Sequence, residues 1–170
     1  MNKATVLKEI IEQRRSIFPK DYTDTEISQE VIDEILHSAT LAPNHKRTKP
    51  WRFKIFKGEE KAKLASEMQA IYKATQTEQL FLEKKYNDIG FKINKANVVV
   101  SIIVNFSGMV PEWEEIAATS MAVQNMYLSC TANNIGCYWS SPTIVNALKE
   151  SLIIEENQKC LGLFYMGSLE

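Results

Sequence analysis

Two arginines and a serine, Arg14, Arg15 and Ser16, stand next to one another near the N-terminus of the chain. Two guanidinium groups and a hydroxyl suit a phosphate, because arginine binds phosphate through paired hydrogen bonds and keeps its charge. The same two cations would also complement the negative C-terminal end of a helix, which is the simpler interpretation of this segment alone. These residues by themselves leave both interpretations open.

A second polar segment begins at Pro43 and leads into Trp51, the first residue of an aromatic-rich stretch. It contains an amide, an imidazole and a cation in succession, namely Asn44, His45 and Lys46. This combination suits an anionic or electron-rich ligand. The alternative is a solvated, basic connecting loop without a ligand.

A third segment combines aromatic side chains with hydroxyl groups, because Tyr138 and Trp139 precede Ser140 and Ser141. Aromatic bulk followed by a tight turn can place backbone N–H groups beside a planar ring. The alternative is an ordinary strand end with a serine that caps the next helix.

Composition argues against several other classes of protein. The 170 residues carry 20 Lys+Arg and 21 Asp+Glu, which argues against nucleic acid as a partner. The longest apolar stretch, residues 98–104, is far shorter than the ~20 residues that span a bilayer. Three cysteines and two histidines lack the spacing of a metal site or of a catalytic pair, so we expect buried thiols and no metal. We therefore expect one cytoplasmic domain over residues 1–170, without a membrane partner, whose reactive group is a bound cofactor.

The elements that position these segments follow from hydrophobic periodicity. Helical spacing predicts helices over residues 4–15, 28–42, 59–73 and 78–95, and a long helix from Pro111 to a C-cap at Gly136. Alternating or β-branched runs predict strands over residues 51–56, 98–106, 137–139 and 160–166. Strands so widely separated need helical crossovers, which predicts a sheet flanked by helices.

Taken together, the three segments resemble the FMN-dependent nitroreductase family, in particular its small YdjA-like members. The likeness rests on RRSIFPKDY, on APNHKRTKPWRFKIF, and on the pattern AxQNMxLxxxxxxIG that runs into GCYWSSP. Their order and spacing agree from Val6 to Gly167. The resemblance implies an α+β fold with a mixed or antiparallel central sheet, and a homodimer with FMN at the subunit interface.

The resemblance also implies a role for each segment. Arg14, Arg15 and Ser16 would contact the FMN phosphate and the polar edge of the flavin. The second segment would reach the flavin of the partner subunit through Pro43, Asn44, His45 and Lys46. The third segment would lie against the flavin ring through Trp139, Ser140 and Ser141. The strand ending at Gly167 would approach the phosphate.

The expected activity is electron transfer from NADH or NADPH, through FMN, to a nitroaromatic, a quinone or a similar electron-poor small molecule. Because 170 residues hold no second nucleotide-binding module, donor and acceptor would share one pocket, which predicts ping-pong kinetics. Two departures from the family pattern, Phe18 in place of a basic residue and a chain that stops at Glu170, predict weaker FMN retention. The alternatives are a flavin carrier or sensor with little turnover, and a helical protein that dimerises through residues 116–132.

Overall fold

A computed structural model describes residues 2–169, so Met1 and Glu170, the ends of the predicted domain, lie outside the described residues. Within this range the chain forms five α-helices and four strands. The helices are α1 (Lys3–Gln13), α2 (Gln29–Thr40), α3 (Gly58–Thr75), α4 (Glu83–Lys95) and α5 (Glu112–Ala132). The strands are β1 (Trp51–Phe56), β2 (Val98–Asn105), β3 (Ile135–Ser140) and β4 (Gln158–Ser168).

The four strands form one sheet in the order β1-β2-β4-β3, and every neighbouring pair is antiparallel. The predicted α+β class with a helix-flanked sheet is therefore confirmed. Strand β2 lies in the interior of the sheet and is buried from Val98 to Val104, as its continuous β-branched run predicts. Strand β3 lies at the edge of the sheet and carries the aromatic segment that precedes Ser141.

Both faces of the sheet are covered by helices. The first face packs against α2 and α5, and Trp51, Phe53 and Ile55 of β1 point towards it, as their alternation predicts. The second face packs against α3 and α4, and Phe56 belongs to this side. The two faces of β3 are divided in the same way, since Trp139 joins the first layer and Tyr138 joins the second.

Two glycines, one on β3 and one on β4, pair with each other, and their position corrects one prediction. Helix α5 ends at Ala132, and Asn134 adopts the left-handed conformation that turns the chain, so the prediction that Gly136 caps this helix is wrong. Gly136 instead pairs with Gly167, and the Tyr22 ring lies on both. A Cβ atom at Gly136 would lie 2.7 Å from Tyr22 Cε1, and one at Gly167 would lie 2.2 Å from Tyr22 Cδ2. Glycine is required here because an aromatic ring occupies the space of a side chain.

The three cysteines, Cys130, Cys137 and Cys160, are buried and free, which confirms the prediction of buried thiols. None of the helices in residues 2–169 is both long and apolar enough to cross a bilayer. The cytoplasmic location stays a prediction.

Candidate functional site

Two of the three polar segments meet at a tyrosine of α5. The Arg14 guanidinium lies over the Tyr127 ring, 5.4 Å from its centroid, and the Tyr127 hydroxyl accepts the Trp139 backbone N–H at 2.7 Å. Tyr127 is fixed from its other side by edge-on packing against Phe164, with ring centroids 5.1 Å apart. Residues 14 and 139 are therefore brought together by a side chain that the sequence analysis did not single out.

The residues that follow α1 lie along β3, the edge strand of the sheet. The Ile17 N–H donates to the Cys137 carbonyl at 2.9 Å, so the segment after α1 runs beside β3. The Arg15 guanidinium donates to the carbonyls of Glu12 and Arg14, at 2.6 and 2.8 Å, and so caps the C-terminal end of α1. Of the two arginines, Arg14 is therefore the one that faces β3. Ser16 is exposed beside them, and the phosphate roles of these residues stay predictions.

A cavity of about 270 Å³ opens at the end of β3, on the side of the sheet that faces α4. Its wall combines hydroxyl groups, two cations, one carboxylate and apolar side chains, including Tyr138, Ser140, Lys85, Asp88, Lys92 and Ile144. The Tyr138 ring stacks on Tyr165 at a centroid distance of 4.8 Å and contacts Phe18 at 4.9 Å. Burial raises the pKa of the Tyr138 hydroxyl, although a hydrogen bond with Ser140 acts in the opposite direction. At neutral pH the hydroxyl therefore remains a hydrogen-bond donor.

The end of β3 lies unusually close to β4. Gly162 has φ +139°, and a Cβ atom there would lie 2.3 Å from the Ser140 carbonyl oxygen and 2.7 Å from Trp139 Nε1. The pairing of β4 with β2 shifts by one residue at the same place, next to Leu161. Trp139 Nε1 is buried and has no hydrogen-bond partner among residues 2–169. A buried N–H without an acceptor is costly, and this atom has almost no accessible surface because it lies against Gly162.

The third segment, from Pro43 to Lys46, lies elsewhere in the protomer. His45 Nδ1 contacts Glu114 Oε2 at 2.5 Å, and Lys46 Nζ donates to the Met109 carbonyl at 3.1 Å. Pro43, Asn44 and His45 line a shallow pocket of about 310 Å³ against the N-terminal half of α5. Its other wall is mainly apolar and consists of Trp113, Glu114, Ala117, Ala118 and Met121.

This loop also has an unusual backbone. Lys46, Arg47 and Lys49 have φ values of 49°, 56° and 45°, in the left-handed region that non-glycine residues rarely adopt. Each such residue costs of the order of 1 kcal/mol, so the surrounding contacts must hold the loop. One of these contacts is internal, since Asn44 Oδ1 accepts the Lys49 N–H at 3.0 Å.

The structure thus gathers part of the predicted site in one protomer. Arg14, Trp139 and Ser140 come together, whereas Gly167 lies buried under the Tyr22 ring. Whether Gly167 also contacts a phosphate stays a prediction. Ser141 is exposed immediately after β3.

Sequence reasoning did not identify Tyr127, which joins Arg14 to Trp139, nor Lys85 and Lys92, which line the cavity on the α4-facing side of the sheet. The two lysines are seven residues apart on α4, about two helical turns, so they lie on one face. That spacing was the available signal, but by itself it does not distinguish a site from a solvated surface.

Comparisons with known proteins agree with the fold. Residues 11–168 match the model of the Nitroreductase family. The putative NAD(P)H nitroreductase YfhC of Bacillus subtilis is 28% identical over 173 residues, which covers 98% of this chain and 86% of that relative. A nitroreductase-like family protein from Bacillus cereus superposes with a TM-score of 0.79 at 25% identity, covering 100% of this chain and 89% of that one. The FMN-dependent nitroreductase NfnB of Mycobacterium smegmatis, in complex with NADPH, has a TM-score of 0.77 at 17% identity, covering 98% and 89%.

Proposed function

Because the chain belongs to the nitroreductase family, we propose that it is an FMN-dependent oxidoreductase. It takes electrons from NADH or NADPH and passes them to a nitroaromatic, a quinone or a similar electron-poor small molecule. The observation that carries the proposal is the contact of Arg14 and Trp139 through Tyr127, since 125 residues separate these two parts of the expected cofactor site along the chain. The names of the relatives, which include an NAD(P)H nitroreductase and an FMN-dependent one, support the same chemistry.

The residues around the end of β3 fit FMN chemically. A phosphate needs fixed cations and hydroxyl donors, which Arg14 and Ser16 offer. The flavin ring has carbonyl oxygens and ring nitrogens that accept hydrogen bonds, and the buried Trp139 Nε1–H is a donor without a partner among the described residues. The cavity beside Ser140 lies on the opposite, α4-facing side of the sheet, and its wall contains the Asp88 carboxylate as well as Lys85 and Lys92. The site therefore offers an anion-binding end at Arg14 and Ser16, next to the aromatic end of β3 at Trp139.

When bound, FMN supplies the chemistry of hydride acceptance and electron transfer that amino-acid side chains lack. The protein's part is to hold the cofactor and to tune it electrostatically. Reduction increases negative charge on one polar edge of the ring, so a fixed cation there raises the reduction potential. Arg14 and, from the partner subunit's loop, the residue equivalent to Lys46 are the cations that we assign to this task. Trp139, Ser140 and Ser141 form the surface against which the ring lies.

We place this site between two copies of the chain. Within one protomer, Arg14 is held at Tyr127 and His45 at Glu114, and these α5 residues are 13 positions apart. At a rise of 1.5 Å per residue, this separation is about 20 Å along the helix. This separation favours a site whose two segments come from different protomers. A second copy can supply the Pro43–Lys46 loop.

Exposed apolar side chains support this dimer. Helix α1 has no buried residue between Lys3 and Gln13, although it carries an apolar stripe in which Leu7 and Ile11 are more than half exposed. On α5, Trp113 is 68% exposed and Met121 is 40% exposed. Apolar surfaces of this kind are typical of protein interfaces.

We further propose that nicotinamide and acceptor use this one pocket in turn, which gives ping-pong kinetics. Parallel lines in double-reciprocal plots, over several fixed acceptor concentrations, are the expected result. Intersecting lines would show that donor and acceptor bind together and would contradict the single shared pocket.

The cofactor is tested with the purified protein. We expect flavin absorbance after reconstitution with FMN, and bleaching of that absorbance by NADH or NADPH under anaerobic conditions. Absorbance without bleaching would overturn the enzymatic proposal in favour of a flavin carrier. Absence of FMN binding would overturn it in favour of a protein that only dimerises.

Mixed dimers test the shared site. Arg14→Ala and His45→Ala subunits are each expected to be nearly inactive as homodimers. If the site is shared, a random mixture contains mixed dimers with one intact site, so about a quarter of all sites regain activity. If both residues act within one protomer, no mixed dimer has an intact site and activity does not return.

A further inference from the structure

Two consecutive glutamates in the first turn of α5 are connected to His45 and Lys46, Glu114 by direct contact and Glu115 through residues 107–109. The direct contact is the one of 2.5 Å between Glu114 Oε2 and His45 Nδ1. The Glu114 side chain is 23% exposed and the His45 side chain is 58% exposed. The contact therefore lies at the edge of the protein, where it fixes the orientation of the imidazole without burying it.

The Glu115 side chain, in contrast, is buried in the protein and only 1% exposed. Its Oε2 accepts the Ser107 N–H at 3.0 Å, and its Oε1 has no partner among the described residues. The Ser107 hydroxyl accepts the Met109 N–H at 3.1 Å, and the Met109 carbonyl accepts Lys46 Nζ at 3.1 Å. A continuous chain of hydrogen bonds thus joins the buried carboxylate to the Lys46 ammonium.

A buried carboxylate with one unpaired oxygen is unfavourable for stability alone, since an apolar residue would pack there at lower cost. Its presence at this buried position therefore calls for another explanation. The loop that it supports contains the left-handed residues Lys46 and Arg47, which do not hold this conformation by intrinsic preference. A rigid anchor outside the loop can hold the backbone conformation that these residues do not favour by themselves.

We propose that Glu114 and Glu115 are positioning residues that hold His45 and Lys46 in the orientation in which they meet the cofactor of the partner subunit. The inference rests on the proposed function and extends it to two residues that do not themselves contact the cofactor. Glu114 acts through the imidazole, and Glu115 acts through the loop of residues 107–109.

The chemistry of the His45 imidazole and of the Lys46 ammonium agrees with this role. Because His45 Nδ1 is engaged by a carboxylate, the ring presents Nε2 outwards with a defined orientation. Lysine has three N–H donors, and the Met109 carbonyl takes one of them. Two donors therefore remain for a ligand while the ammonium is held by the Met109 carbonyl.

A double-mutant cycle in the reconstituted full chain tests the Glu115 route. We expect Lys46→Met and Glu115→Leu each to lower kcat/KM for NAD(P)H about tenfold and to make the midpoint potential of the bound FMN more negative. In the Lys46→Met background, Glu115→Leu should cause less than a twofold further change, because its effect passes through the missing ammonium. Multiplicative effects of the two substitutions would overturn the proposal.

Three further variants separate positioning from general stability. Glu115→Gln keeps an acceptor for the Ser107 N–H and should retain most of the activity and potential. Ser107→Ala, at an exposed position, removes the link to Met109 and should cause a smaller loss of the same sign. Glu112→Gln is the matched control, since it removes an exposed carboxylate from the same helical turn and should change neither quantity. If Glu112→Gln had the same effect as Glu115→Leu, the result would be explained by charge at the end of α5 and not by the hydrogen bonds of Glu115.

A readout without cofactor distinguishes this inference from the proposed function. Trypsin cleavage after Lys46 or Arg47 reports directly on the order of the loop. We expect Glu115→Leu and Glu114→Ala to accelerate this cleavage at least threefold at temperatures well below unfolding, with Glu112→Gln unchanged. If the wild-type chain bound no FMN, the proposed function would fail while this measurement still decided the positioning role. Unchanged cleavage in both variants would refute the positioning role.

Discussion

Replacing Tyr127 by phenylalanine isolates a single hydrogen bond in the site. The substitution keeps the ring that lies under the Arg14 guanidinium and packs edge-on against Phe164, and it removes only the hydroxyl that accepts the Trp139 N–H at 2.7 Å. That N–H lies in a half-buried strand end, and an unsatisfied donor in such a place costs about 1–2 kcal/mol. For a chain of this size the cost corresponds to a decrease in Tm of about 3–6 °C.

The same substitution should loosen the turn that follows Trp139 and weaken FMN binding about three- to tenfold, measured by quenching of flavin fluorescence. Thermal unfolding is followed by circular dichroism at one fixed protein concentration, because dimerisation would shift Tm with concentration. Tyr86→Phe is the matched control, since its ring contacts Phe81 and its hydroxyl has no hydrogen bond among residues 2–169. A Tm within 1 °C of the wild type, with unchanged FMN affinity, would refute the assigned role of Tyr127.

Three other results follow from the same packing. Gly167→Ala should lower the free energy of unfolding by about 2–3 kcal/mol, seen in urea titrations, because the new methyl group would overlap the Tyr22 ring; an unchanged urea midpoint would contradict this. Arg14→Ala should weaken FMN binding tenfold or more with little change in Tm, whereas Arg15→Ala, which removes only a helix cap, should weaken it less than threefold; equal losses would show that both arginines bind phosphate. Alkaline pH should destabilise the protein above about pH 10, because burial raises the pKa of Tyr22 and Tyr165 well above the ordinary value of 10.0. Only the unfolded state then loses these protons, so Tm falls as pH rises, and Tyr165→Phe should reduce the slope of Tm against pH between pH 10 and 11.

Most of the fold could be predicted because local patterns and tertiary burial agree. The run from Val98 to Val104 is apolar at nearly every position, and it forms an interior strand that is buried on both faces. Ser28 caps α2 through the Val31 N–H, as its type and place predict. The helix predicted over residues 78–95 begins only at Glu83, because nothing local marks where a charged helix starts without a capping side chain.

The error at Gly136 has a different cause. A glycine after a helix is a typical cap, and the sequence contains no sign that an aromatic ring from residue 22 will lie against it. Asn134 performs the left-handed turn instead, two residues earlier. Contacts of this kind depend on strand pairing, which joins Gly136 to Gly167 across 31 positions.

The site shows the same limit. Arg14, His45 and Trp139 could be singled out because their types are unusual for packing and their segments resemble a family pattern. Lys85 and Lys92 could not, because lysines on an amphipathic helix are usually solvated and only the docking of α4 beside β3 makes them part of a cavity wall. Tyr127 was equally hidden, since an aromatic residue on a largely apolar helix normally indicates core packing.

The absent side chain at Gly162 has a consequence for redesign. The Ser140 carbonyl occupies the volume that a methyl group would need, and the positive φ of Gly162 disfavours any side chain, so a larger residue would have to displace backbone at the rim of the cavity. Libraries that aim to admit bulkier compounds should therefore keep this glycine fixed and vary the side chains of the cavity wall instead.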